Sequence, residues 1–225
     1  MNKKNLMAAA AAALLATFTV GAHAKAKGTW FGGIGATNIE PNTSSGTLSP
    51  PAPPNTRVEL GGDTKPTFFI GYMLTDNWSV EVPIGFGFEH DINGAGAISG
   101  VGRIGTVKVL PVSGFVQYRF LEPQARFRPY VLAGITYAHF YGERGSATLN
   151  ALNPSNPAGG TTLDVENKFG PSLGLGLTAS ITERWFLDLH YAKTWLRTTT
   201  TLNSGQKIDT KLDPDVWTAS VGYRF

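Results

Sequence analysis

The chain has 225 residues, with 19 Lys and Arg against 16 Asp and Glu, a formal charge of +3. Setting aside Lys3 and Lys4 of the leader described next leaves +1, too small and scattered for a nucleic-acid-binding face, and the lack of cysteine excludes a disulfide framework and thiol chemistry. Mean hydropathy is -0.07, and past the leader no run reaches about 18 apolar residues; this excludes a spanning helix but not a membrane protein whose apolar positions alternate.

Residues 1–24 are expected to be an export signal. Lys3 and Lys4 give a positive start, Leu6 to Val20 is apolar and alanine-rich, and Ala22-His23-Ala24 supplies a small-x-small cleavage site. Residues 25–225 are then one domain. No cysteine follows the site, which argues against a lipid anchor.

From Lys27 onward, eight extended segments follow, near 27–38, 64–74, 78–90, 104–120, 127–142, 167–181, 185–199 and 213–225. Helical periodicity is poor and glycine recurs inside the runs, as in strands. In the third segment Trp78, Val80, Val82, Ile84, Phe86 and Phe88 share one face, and Glu81, Gly85, Gly87 and Glu89 the other. The sixth sets Phe169, Leu173, Leu175 and Leu177 against Ser172, Gly174, Gly176 and Thr178, and the seventh sets Trp185, Leu187 and Leu189 against Asp188 and His190. Eight strands enclose too little room for the bulky face, so it must point outward to lipid rather than inward as in a lipocalin. The expectation is an all-β fold, an eight-stranded antiparallel transmembrane β-barrel in the outer membrane. Trp30, Trp78, Tyr118, Tyr130, Trp185, Trp217 and Tyr223 lie near strand ends, as interfacial rings do.

Connections alternate in length. Turns at 75–77, 122–124 and 182–184 are short; links at 39–63, 91–103, 143–166 and 200–212 are long and polar, with irregular clusters at Pro50–Pro54 and Asn153–Gly160. Short turns belong to the periplasmic side and long loops to the extracellular side. An even strand count puts both termini in the periplasm, with Phe225 the expected handle for the barrel-assembly machinery.

Inside, Glu81, Arg119, Asp188 and Arg224 fall near the short turns, two of each sign. Buried charges stay ionised only when compensated, so a salt-bridged floor is expected. Phe31, Phe69 and Met73 are expected to line an apolar channel higher up. Pro83 and Pro111 interrupt neighbouring strands, as Pro171 does the sixth, and each removes a ladder donor. Asp188 and His190 share a face and could form a general base, but no serine elbow accompanies them; no enzyme activity is expected. His90 and His139 lack metal-ligand spacing, and no metal or cofactor is expected.

Lys108-Val109-Leu110-Pro111, Phe115 to Phe120, Arg128 to Gly134, Thr182 to Leu187, Leu212-Asp213-Pro214 and Val221 to Phe225 together resemble, in order, the OmpW family of outer-membrane proteins. The resemblance implies a hydrophobic channel closed at the periplasmic end, with Pro83 and Pro111 beside a lateral opening in the wall. The function it implies is passive uptake of small hydrophobic molecules, entering from outside and leaving sideways into outer-membrane lipid. The alternative is a structural or adhesive barrel acting through its extracellular loops.

Overall fold

The computed structural model describes residues 27–153 and 160–225. The expected export signal lies outside the described residues, as does the interior of the Asn153–Gly160 cluster. In chain order the elements are β1 (Trp30–Glu40), β2 (Ser44–Ser45), β3 (Thr56–Leu60), β4 (Asp63–Met73), β5 (Trp78–Gly85), β6 (Phe88–Gly96), β7 (Arg103–Arg119) and β8 (Phe127–Gly145), then helix α1 (Ala147–Leu152). After it come β9 (Leu163–Val165), β10 (Lys168–Ser180), β11 (Trp185–Thr194), β12 (Arg197–Leu202), β13 (Lys207–Lys211) and β14 (Asp215–Arg224).

The wall runs β1-β4-β5-β7-β8-β10-β11-β14 and closes where β14 pairs with β1, all antiparallel. This is the eight-stranded barrel that the alternation predicts. Trp78, Ile84, Phe86, Ile135, Phe169, Leu175 and Leu189 are all exposed on its outside, which only a hydrocarbon surround makes favourable. Ring pairs fringe this belt at both ends: edge-to-face Trp78–Tyr118 and Trp185–Tyr223 by the short turns, tilted Tyr191–Trp217 and Tyr137–Phe169 at the far side. Tyr130 is not among them. It is 1% exposed, because Pro129 takes the outward position beside it.

The long links carry further strands, while the Pro50–Pro54 cluster stays outside any strand. β3 continues β4 above Gly61-Gly62, β6 continues β5, and β2, β13, β12 and β9 make a separate four-stranded sheet above the opposite wall. Their strand pattern escaped the sequence reading because threonine and serine fill the positions between sparse Val165, Leu202, Ile208 and Leu212. Those four residues and Ile39, Phe88, Ile92, Ile104, Val107, Phe140 and Leu196 bury into an apolar cluster above the bilayer belt.

The third predicted segment breaks. Phe86 is 59% exposed and Phe88 is 1% exposed, so the alternation slips at Gly87 and Phe88 turns inward, while Glu89 turns out to meet Lys108 at 3.3 Å. A one-residue slip exchanges the two faces of a strand.

Candidate functional site

Inward residues form layers along the bore. Lowest, by the short turns, three rings pack against one another: Phe31, Phe69 and Phe186, with centroids 6.3–6.4 Å apart. Phe31, Phe186 and Met73 have no exposed surface. The rings need bare backbone beside them: a Cβ at Gly71 would lie 2.3 Å from Phe31 Cζ, and one at Gly222 would lie 2.1 Å from Phe186 Cζ.

Cations cap this plug. Arg119, fully buried, donates Nε–H to Ser79 Oγ at 3.2 Å, an Nη1 hydrogen to Thr178 Oγ1 at 2.7 Å, and an Nη2 hydrogen to Gln117 Oε1. Its guanidinium lies 4.4 Å from the Tyr130 ring centroid and 5.6 Å from that of Phe31, and such contacts strengthen when desolvated. Arg224 sits 4.9 Å from the Phe186 ring and donates to Glu183 O at 2.8 Å and Ser180 Oγ at 2.7 Å. Arg128 clamps the turns from inside through Asp76 O, Leu121 O and Phe120 O.

The acids lie on the other side of this layer. Asp188 accepts from Tyr130 Oη and Thr178 Oγ1, both at 2.7 Å, and Glu81 is 5% exposed. His190 Nδ1 is 3.4 Å from Asp188 Oδ1. The four residues read as a charged floor therefore gather at one end, but among the described residues Arg119 is held by hydroxyls, an amide and rings rather than by a carboxylate within 4.0 Å. Ser79, Gln117, Tyr130, Arg128 and Phe186 were missed, although each stands on the inward alternation of its strand. The signal was there in the parity.

Above the floor runs a belt of hydroxyls. Thr67, Thr37 and Thr218 link β4, β1 and β14 through bonds of 2.8 Å. Ser113, Thr136, Ser172 and Thr194 link β7, β8, β10 and β11 at 2.8–3.0 Å. Each hydroxyl satisfies another, so this level costs little to keep dry. Thr136→Val removes two of these bonds, and a destabilisation of about 1–2 kcal/mol is expected in a denaturant titration in lipid vesicles.

A cavity of about 120 Å³ spans the belt. Thr37, Phe69, Glu81, Pro83, Pro111 and His190 are among its lining. Of the three predicted channel residues, Phe69 lines it; Phe31 and Met73 lie below it in the plug, because Phe31 pairs with Arg224 at the very foot of the wall. A second apolar space of about 140 Å³ lies among the loop strands, and Leu60, Phe140 and Leu212 border both. His90, at the upper wall and outside the lipid belt, donates Nδ1–H to Gly61 O at 2.7 Å, and burial pushes its pKa below the ordinary value, favouring the neutral ring.

The wall itself is incomplete beside the cavity. β5 pairs with β7 only from Trp78↔Tyr118 to Glu81↔Phe115, and β6 pairs with β7 only up to Phe88↔Val109. Val82–Gly87 and Leu110–Gly114 thus face each other without ladder bonds, and Pro83 and Pro111 stand one on each side. Outward-facing Phe68, Ile84 and Phe86 join the inward residues in lining the cavity. Pro171 differs: it is in register with Ile135 on one side, and on the other its carbonyl accepts from Trp195 N at 3.0 Å.

A barrel with a lipid-facing belt, a plugged narrow end and an apolar bore defines a small outer-membrane β-barrel protein. The chain belongs to the OmpW family, whose model matches residues 26–225. Outer membrane protein W of Vibrio cholerae serotype O1 is 31% identical over 99% of this chain and 100% of its own length. The dibenzothiophene metabolism operon protein PahQ of Pseudomonas aeruginosa is 24% identical over 87% of this chain and 88% of its own. The crystal structure of OprG from Pseudomonas aeruginosa superposes with a TM-score of 0.80 at 21% identity, covering 91% of this chain and 99% of that one, and shows the shared fold.

Proposed function

We propose that the protein is a passive outer-membrane channel for small hydrophobic molecules, which enter through the loop end and leave sideways between β5 and β7. The observation that carries this reading is a cavity whose lining passes from inward residues to lipid-facing ones where ladder bonds are missing. The Phe31–Met73–Phe186 plug, with Arg119 and Arg224 over it, blocks straight passage, so an apolar solute partitions into the bilayer instead. The operon name of PahQ is consistent with an apolar aromatic solute. Diffusion down a gradient needs no cofactor or energy source. In this reading the short turns and both termini face the periplasm, Phe225 is recognised by the barrel-assembly machinery, and Pro83 and Pro111 border the exit.

Ala138 pairs with Pro111 and lines the cavity. In proteoliposomes, flux of a small apolar solute above the protein-free rate is expected, and Ala138→Phe is expected to cut it about tenfold by filling the bore. A barrel that acts only through its loops shows no such flux in either form.

A further inference from the structure

We infer that Tyr141 is the outer post of the break between β5 and β7 and sets the girth of the solute that can leave. This rests on the lateral-exit reading above. Between the pairs Thr106↔Arg144 and Lys108↔Tyr141, β8 carries one residue more than β7, and Gly142 there has φ of 63°. A bulge of this kind bends its strand and re-aims the neighbouring side chain. Tyr141, 37% exposed on the outer face, is turned across β7 toward Gly87, the residue at which β5 gives way to β6.

The contact is close. A Cβ built on Gly87 would lie 1.9 Å from Tyr141 Oη and 2.8 Å from its Cζ. The tip of Tyr141 therefore occupies the space a side chain at position 87 would take, at the upper corner of the unpaired stretch. His139 stacks behind the ring at 5.7 Å and 14°, and Tyr137 behind His139 at 6.4 Å and 15°. Immediately above, the ladder resumes at Phe88↔Val109, and the next pair, Glu89↔Lys108, adds a 3.3 Å ion pair. A backed aromatic ring under a re-formed ladder makes the upper limit to the gap: linear and flat apolar solutes clear it, and globular ones do not.

The test uses full-length protein in proteoliposomes with n-octane and adamantane as probes. Tyr141→Ala is expected to raise the adamantane-to-octane flux ratio by roughly tenfold, the scale on which apolar sites discriminate by size. A second measurement reads the contact itself. Gly87→Ala is expected to lower the thermal midpoint in the native background and to leave it unchanged in the Tyr141→Ala background. A flux ratio unmoved by Tyr141→Ala, with octane flux intact, overturns the post, as does an undiminished effect of Gly87→Ala when Tyr141 is gone. Absence of octane flux in the native protein overturns the lateral-exit reading instead, and the post with it.

Discussion

Arg119→Leu is expected to destabilise the barrel by about 3–5 kcal/mol, because the guanidinium is the common partner of groups that have no access to water. Ser79, Gln117 and Thr178 each lose a charge-assisted bond, and the rings of Tyr130 and Phe31 lose the cation resting on them. Thr178, which donates to Asp188 while accepting from Arg119, loses the cation behind it. The loss is read as a fall in the denaturant midpoint in lipid vesicles. Planar-bilayer recordings are expected to show a new ion leak as the plug loosens. Arg119→Lys is expected to recover only part of the stability, since one ammonium cannot fork to three acceptors while lying flat on a ring. An unchanged midpoint in Arg119→Leu would mean that the Phe31–Met73–Phe186 packing closes the end unaided.

The second large effect is expected from Pro83→Val combined with Pro111→Val. Valine returns an amide hydrogen to each strand and favours extended pairing. If the facing stretches Val82–Gly85 and Leu110–Gly114 then gain one or two net hydrogen bonds, at about 1 kcal/mol each, the closed wall gains about 1–2 kcal/mol, which lowers the open population roughly tenfold. Flux of an apolar solute is expected to fall by that factor, and the amides of these stretches to become protected from hydrogen exchange. Protection gained without loss of flux would show that solutes take another route. The double variant is expected to keep the heat-modifiable gel migration of a folded barrel, because the other seven seams are untouched.

Much of this molecule was legible because a two-residue period in a closed wall leaves few choices. Once Leu173, Leu175 and Leu177 are assigned to lipid, Ser172, Gly176 and Thr178 must face the bore, and Arg119 and Arg224 follow from parity alone. Two things were hidden. Height is not carried by parity: Phe31 and Phe69 are both inward, but only the register against Arg224 and Pro83 puts the first in the plug and the second beside the cavity. Parity also fails where the strand slips, so the sequence reading sent Phe88 to lipid and Glu89 to the bore, the reverse of what is found. Gly87 was the one mark of that slip, and a single glycine among many does not announce itself. The folded loop end was missed for a different reason, since its strands gain their partners from links far apart in the chain, as Ser44-Ser45 does from Thr210-Lys211.

The two runs of hydroxyls bear on how such a cylinder deforms. At their level the circle of side-chain links is interrupted between β11 and β14, where backbone bonding is continuous, and again across β5, where it is not. Only at the second place do both kinds of cross-tie lapse together. A hoop cut at one point spreads at the cut when something is pushed inside it, while the rest of its circumference merely flexes. Swelling of the bore around a passing guest should accordingly be concentrated along one line on the lipid side, with the remaining strands moving as a single stiff shell.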